Sequence, residues 1–393
     1  MNPADGGEHD AKKALGKKEK RKKRKDAAEG DCAAAAAEGE AVQVEKKKKK
    51  HKQSRDEGEG EEKGGPRRKP TVSIAVAGSI IDNAQSLELA TLLAGQIARA
   101  AAVFRIDEVV VFDSSPTANA GAGDDEESGA RFLVRILEYL ETPQYLRRRL
   151  FPMHKNLKFV GLLPPLDAPH HVRKHEWPMF REGITLEGDR SKGTLVDVGL
   201  SKNVLVEQIL EPGKRVTVAM GINRDLTTAC VRKVVPPSTP KEETGSYWGY
   251  RVRYASNLSD VFKNSPYKEG YDHVIGTSEH GEIIRSSELT LPSFSVSAPG
   301  RRAGVQVGLK PLNPGSAPVS AHWHLLIAFG GLAGLEESIE EDNNLKGKRA
   351  NDVFPSYLNT CPDQGSRTIR TEEALLISLQ YFQDPIRRAE SQM

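Results

Sequence analysis

The chain has 393 residues with 57 Lys/Arg against 54 Asp/Glu, so it has room for more than one domain and no overall charge of the kind that marks a polycation. Residues 1–70 alone carry 21 Lys/Arg and 15 Asp/Glu, leaving 36 and 39 for the rest, so the basic excess belongs to the N-terminal segment. The three cysteines, Cys32, Cys230 and Cys361, give neither a disulfide framework nor a zinc spacing, and with no membrane-length apolar run and no apolar N-terminal signal a soluble intracellular protein is expected.

Residues 1–70 are Lys, Glu, Gly and Ala with little apolar surface to offset ordering entropy, and disorder is expected there. The clusters KKEKRKKRK and KKKKKHK predict nuclear or nucleolar targeting, or an RNA-contacting arm. Order is expected from Thr71. VSIAVAG and EVVVFD have the continuous β-branched character of strands buried on both faces, and residues 86–104 between them are Ala- and Leu-rich and helical. A helix over 131–140, a second one started by Pro143 and bearing Arg147, Arg148 and Arg149, and a strand LKFVGLL follow. The alternation predicts a parallel α/β sheet.

Between about 183 and 255 the pattern changes to short strand-like runs: TLVDVG, VLVEQI, RVTVAMG, ACVRKVV and YWGYRVRYA. Five such runs predict a small OB-type barrel inserted over 182–256, with the α/β domain formed by 71–181 and 257–393. In the last run Tyr247, Arg251 and Arg253 share one face and Trp248, Tyr250 and Tyr254 the other; the arginines are candidate RNA contacts, the aromatic face a candidate barrel core. The α/β pattern resumes at DHVIGTSEHGE, and HWHLLIAFGG predicts a buried strand running into glycines. His171 and His175 lack a third ligand nearby, and His322 and His324 suit packing, so no metal site is expected.

Two strand–loop–helix stretches stand out, LLIAFGGLAGLEE and residues 358–382. Gly330, Gly331 and Gly334 are neither a dinucleotide fingerprint nor a phosphate-binding loop. In the second stretch Thr371 is the expected N-cap, and Glu372 and Glu373 stand where a phosphate would dock on a helix N-terminus and would repel it. That favours a ligand without phosphate, such as the sulfonium S-adenosylmethionine; solvent-facing glutamates are the plain alternative. Cys361 has no evident base beside it.

The segments GSIIDNAQSLELATLLAGQIARAAAVFRIDEVVVFD, GTSEHGE, LIAFGGLAGLEE and NTCPDQGSRTIRTEEALLISL together resemble the eukaryotic and archaeal branch of the SPOUT superfamily of methyltransferases. The resemblance implies an α/β sheet whose C-terminal segment forms a deep trefoil knot, an OB-like insertion, a homodimer and an RNA substrate. It implies S-adenosylmethionine held by three loops, with Thr277, Ser278, Glu279, Gly281, Phe329, Gly330, Gly331, Gly334, Asn359, Thr360, Cys361, Gln364, Gly365, Ser366, Thr368, Ile369 and Thr371 as contacts. SRTIRTEEA is also similar to the motif of enzymes that methylate uridine N3 in ribosomal RNA. For that reaction Arg367 and Arg370 are the candidates to stabilise the anion, Glu372 the candidate base or ligand contact, and Asn83 and Gln85 candidate acceptor contacts. A structural ion pair is the alternative for Arg370. The functional expectation is an S-adenosylmethionine-dependent RNA methyltransferase of the nucleus; the alternative is a non-catalytic RNA-binding or scaffold protein on the same fold, associated with the spindle or kinetochore.

Overall fold

In this computed structural model the described residues are 70–113, 127–187, 193–227, 230–291 and 323–391. The chain opens with β1 (Thr71–Ala77), α1 (Leu87–Val103), β2 (Glu108–Phe112), α2 (Gly129–Glu141) and α3 (Gln144–Leu150). Five strands follow, β3 (Phe180–Thr185), β4 (Thr194–Asp197), β5 (Val204–Val206), β6 (Arg215–Ala219) and β7 (Lys233–Val235), and then the short helix α4 (Thr239–Thr244). Last come β8 (Arg251–Ala255), α5 (Leu258–Lys263), β9 (His273–Glu282), β10 (His324–Phe329), α6 (Gly334–Glu341), α7 (Ala350–Val353), β11 (Ser356–Leu358) and α8 (Thr371–Ser391). The N-terminal basic clusters, Cys32 and His322 lie outside the described residues.

Six strands form one parallel sheet in the order β11-β9-β10-β1-β2-β8. Its apolar runs are continuous because both faces are covered, and strand alternation divides them. Ile74, Val76, Val109, Ile327 and Phe329 pack on one face with α1, α2 and α8, while Ala75, Val110, Phe112, Leu326 and Ala328 pack on the other with α5, α6 and α7. Serine caps start the first two helices: Ser86 Oγ accepts from the Leu89 amide at 3.2 Å and Ser128 Oγ from the Arg131 amide at 3.3 Å. No helix among the described residues is long and apolar enough to cross a membrane.

A separate, curled antiparallel sheet has the order β5-β4-β3-β6-β7 around a core of Val196, Val198, Val204, Val206, Val218 and Met220. Its two edges meet at a parallel bridge between Val206 and Arg232, where the Arg232 amide donates to the Leu205 carbonyl at 2.7 Å.

Two expectations are corrected. The YWGYRVRYA run is no barrel strand: Arg251–Ala255 is β8 and pairs with β2 at the end of the parallel sheet. Its place in the antiparallel sheet is taken by β3, FREGIT, whose Arg181 and Glu182 hide a strand pattern because their charges are buried in an ion-pair and hydrogen-bond cluster. LKFVGLL is not a strand either. It forms two short 3₁₀ turns, Lys155–Leu157 and Val160–Leu162, in an irregular connection from α3 to β3.

Candidate active site

Ligands of open parallel sheets bind beyond the carboxyl ends of the strands, and a cavity of about 230 Å³ lies there. One wall is Thr277–His280 of β9, a second is residues 329–334 leaving β10, and a third is the loop from Asn359 into α8. The turn after β10 is as tight as its glycines permit. A Cβ on Gly330 would stand 2.2 Å from the Gly334 carbonyl carbon, and Gly334 itself has φ +81°.

The loop after β11 is tied to both other walls. Asn359 donates from its amide to Glu282 O at 2.9 Å and from Nδ2 to Glu279 O at 2.9 Å. Thr371 Oγ1 donates to Gly330 O at 3.1 Å, and the Thr360 and Ser378 hydroxyls are 2.7 Å apart. Where the loop leaves β11 it crosses Gly281 so closely that a Cβ there would meet Leu358 C at 2.3 Å and Asn359 N at 2.6 Å. Thr371 is therefore not the N-cap: its hydroxyl faces the glycine turn, and the Glu373 carboxylate reaches back to the Arg370 amide at 3.0 Å.

Two carboxylates line this cavity, the half-exposed Glu279 of β9 and Glu336 in the first turn of α6. Ser278 Oγ donates to Glu336 Oε1 at 3.2 Å, and His280 Nδ1 lies 3.2 Å from the same atom. Burial raises the Glu336 carboxyl, but the Tyr357 phenol, the Glu336 amide, His280 and Ser278 outweigh it and hold the acid below its ordinary value. The Tyr357 hydroxyl is buried and stops short of a formed hydrogen bond.

Fourteen of the cofactor-contact candidates line the cavity: Thr277, Ser278, Glu279, Phe329, Gly330, Gly331, Gly334, Asn359, Thr360, Cys361, Gln364, Thr368, Ile369 and Thr371. Gly281, Gly365 and Ser366 lie outside the lining, as do Arg367, Arg370 and Glu372. Glu372 is buried and its Oε1 pairs with Arg370 Nε at 2.7 Å, whereas Arg367 is exposed and has no ion pair among the described residues. Asn83 and Gln85 are exposed after β1. Arg253 is committed to Glu108 Oε1 at 2.9 Å and to Tyr271 Oη at 3.0 Å, which leaves Arg251 as the exposed arginine of that strand. His324 stacks on Tyr267 with centroids 3.6 Å apart, a packing role.

Sequence reasoning misses Glu336, although its signal is present. The argument that first-turn glutamates repel phosphate, applied to Glu372 and Glu373, applies equally to Glu336 and Glu337 in LLIAFGGLAGLEE.

A family model described as "Putative RNA methyltransferase" matches residues 71–382. The chain belongs to this RNA methyltransferase family. It is similar to the human "28S rRNA (uridine-N(3))-methyltransferase", 45% identical over 333 residues that cover 82% of this chain and 80% of the human protein. The mouse protein of the same name is 43% identical, covering 80% of this chain and 77% of its own length. The Drosophila melanogaster one is 42% identical, covering 80% and 62%. The family match spans all the strands of both sheets and the three walls of the cavity.

The cavity's chemistry fits a methyl donor of the sulfonium type. A carboxylate held ionised by its donors suits a cationic ligand, and the glycine turn lets backbone approach closely.

Proposed function

We propose that the protein transfers the methyl group of S-adenosylmethionine to N3 of a uridine in ribosomal RNA, the reaction for which its human, mouse and fly relatives are named. The observation that carries the cofactor is the Glu336 carboxylate in a glycine-walled cavity with no phosphate-binding loop. The cofactor contacts would be the fourteen candidates that line it, joined by Glu336, Ser378 and the apolar Leu332, Ala374 and Ile377.

When bound, S-adenosylmethionine supplies an electrophilic methyl carbon, and the protein's task is to align it with an acceptor nitrogen. Uridine N3 carries a proton and becomes a good nucleophile once that proton has passed to solvent, and a nearby cation stabilises the anion. Arg367, exposed on the loop that forms the third wall, is the cation we assign to that role. Arg370 and Glu372 act as a positioning pair that fixes the start of α8, since the Glu372 carboxylate is buried and its charge is already met. Asn83 and Gln85 remain our candidates for contacts to the acceptor nucleotide.

Several finer features belong to the same proposal. The close crossing of Leu358 and Asn359 over Gly281, with the loop tied to both neighbouring walls, supports a deep trefoil knot. The strand order and the Val206–Arg232 bridge, which joins the third strand to the fifth in parallel, support an OB-like barrel as an inserted domain centred on residues 180–235. The exposed Leu87, Leu89 and Leu92 on α1 and Leu376 on α8, two helices that pack together, support a homodimer through that face. Nuclear or nucleolar residence fits a ribosomal RNA substrate and the basic N-terminal clusters.

Calorimetry with S-adenosylmethionine and its demethylated product, followed by nucleoside mass spectrometry on ribosomal RNA incubated with the protein, tests this reading. Saturable binding and 3-methyluridine are expected. No binding of either compound would sink it in favour of a non-catalytic role on the same fold.

A further inference from the structure

Residues 151–179 join α3 to β3 with nothing more regular than two short 3₁₀ turns. Connections this long without secondary structure are uncommon in compact domains and are usually functional when they occur. The connection is also charged out of proportion. Residues 151–179 hold four Lys/Arg against two Asp/Glu, and Arg147, Arg148 and Arg149 at the end of α3 precede them, where residues 71–393 as a whole hold 36 against 39.

Its backbone is held in place from beneath. The Arg181 guanidinium is buried with 1% exposure; its Nε donates to Val198 O at 2.6 Å, and its Nη1 donates to Arg173 O at 3.2 Å and to Glu176 O at 3.1 Å. Arg99 Nη1 donates to Leu166 O at 2.8 Å further back in the same connection. Arg149 at the end of α3 pairs with Asp197, the neighbour of Val198, at 2.8 Å, so the last turn of α3 and the Arg173 turn converge on the same corner of the antiparallel sheet.

The cations on this fixed backbone are not neutralised. Arg148, Lys158, Arg173 and Lys174 are exposed, and none of their side chains makes an ion pair or a hydrogen bond among the described residues. Lys158 stands 5.1 Å over the Phe159 ring, and Met153 is fully exposed in the same connection. Arg215 and Arg253, by contrast, are consumed by carboxylates. Cations left exposed on a preorganised frame are the electrostatic footprint of a polyanion.

We propose that the end of α3 and residues 151–179 form an RNA-docking surface that grips the phosphate backbone away from the methylated base. It rests on the reading of the protein as an RNA methyltransferase and adds a second RNA-binding site to it. Phosphate contacts fix register and orientation without reading sequence, so this surface sets affinity and leaves the chemistry at the cavity untouched.

The test uses the full chain and the combined variant Arg148→Ala, Lys158→Ala, Arg173→Ala, Lys174→Ala, with ribosomal RNA and an unrelated structured RNA as probes. Removing one phosphate-binding cation lowers the slope of log Kd against log salt by about 0.7–0.9, so a drop of roughly 3 is expected when all four are removed. Both RNAs should bind at least tenfold more weakly, with KM for RNA raised, kcat at saturating RNA unchanged, and calorimetric binding of S-adenosylmethionine unchanged. The single variant Arg173→Glu should weaken RNA binding in the same direction, and the charge-preserving Lys158→Arg with Lys174→Arg should not. An unchanged salt slope and affinity in the combined variant overturns the proposal even if methylation proceeds normally. Failure of the wild type to bind S-adenosylmethionine would instead overturn the methyltransferase reading on which it rests.

Discussion

The guanidinium of Arg215 grips the carboxylate of Glu141 with two donors, Nη1 to Oε2 at 2.5 Å and Nη2 to Oε1 at 3.1 Å. Glu141 is the last residue of α2, and Arg215 begins β6, so the pair clamps the antiparallel sheet to the helical layer of the parallel one. Arg215 Nε also donates to Glu182 Oε2 at 2.8 Å, and the buried His170 Nε2 lies 2.9 Å from Glu141 Oε1. Removing one member of a buried pair strands the other charge and costs about 3–5 kcal/mol. Arg215→Ala should therefore lower the unfolding free energy by about that much in urea titrations. Arg215→Lys, which cannot bond two carboxylates at once from a planar fork, should fall between the two.

Acid should weaken the fold in two stages, at this junction and at His273 on β9. Burial lowers the His171 pKa to about 4, His170 adds to the lowering, and burial alone takes His273 to about 4. Between the ordinary histidine range and about 4 the unfolded chain binds protons that the folded chain refuses, so stability falls as pH drops through that window. Burial raises the Glu141 carboxyl, but the charge and hydrogen bonds of Arg215, with His170, hold it at about 2, so its contribution is present above the usual carboxylate range and is lost as pH falls towards 2. Melting temperatures should fall from the ordinary histidine range down to about pH 4, where two histidines contribute, and fall further towards pH 2 as Glu141 is protonated. His273→Gln should flatten the first stage, and a flat wild-type profile over that stage would refute the assignment.

The parallel sheet was legible because its strands are buried on both faces and leave unbroken β-branched runs, as in Val72–Ala77 and Val109–Phe112. β3 was not, because Arg181 and Glu182 look like surface residues until their partners, Val198 O and Arg215, are brought in from distant sequence. Arg251–Ala255 alternates like any barrel strand; only its long-range pairing to β2 decides which sheet it joins. At the cavity the glycine turn and the loop over 359–371 were readable as motifs. The placing of the acid on α6 was not, because two helices share the same first-turn signal and only the fold says that Glu336 opens into the cavity while Glu372 is sealed by Arg370.

Glu336→Gln keeps the shape and the donors' positions but removes one carboxylate charge, leaving that of Glu279 in the lining. If the carboxylate faces the positive end of the ligand, affinity for S-adenosylmethionine should fall about tenfold, equivalent to about 1.4 kcal/mol, and affinity for the product, which has lost the sulfonium charge, should fall less. Calorimetry with both compounds on wild type and variant reads the ratio directly. Equal losses for the two would mean that Glu336 meets a part common to both, such as the amino group, and not the sulfonium.

Gly281 is the point where one chain segment passes over another with no room for a side chain, since a Cβ would lie 2.3 Å from Leu358 C and 2.6 Å from Asn359 N, both backbone atoms. Backbone cannot rotate aside as a side-chain tip can, so overpacking there should cost about 1–3 kcal/mol or more. The strain would be relieved by lifting Leu358 and Asn359 off β9, which breaks the Asn359 bonds to Glu282 and Glu279 and moves the third wall of the cavity. Gly281→Ala should therefore lose stability and weaken binding of S-adenosylmethionine together. Gly347→Ala, where nothing lies within 4 Å but φ is +77°, supplies the comparison: a backbone penalty of about 1 kcal/mol with ligand affinity unchanged. Wild-type affinity in a folded Gly281→Ala protein would show that this crossing does not hold the cavity wall.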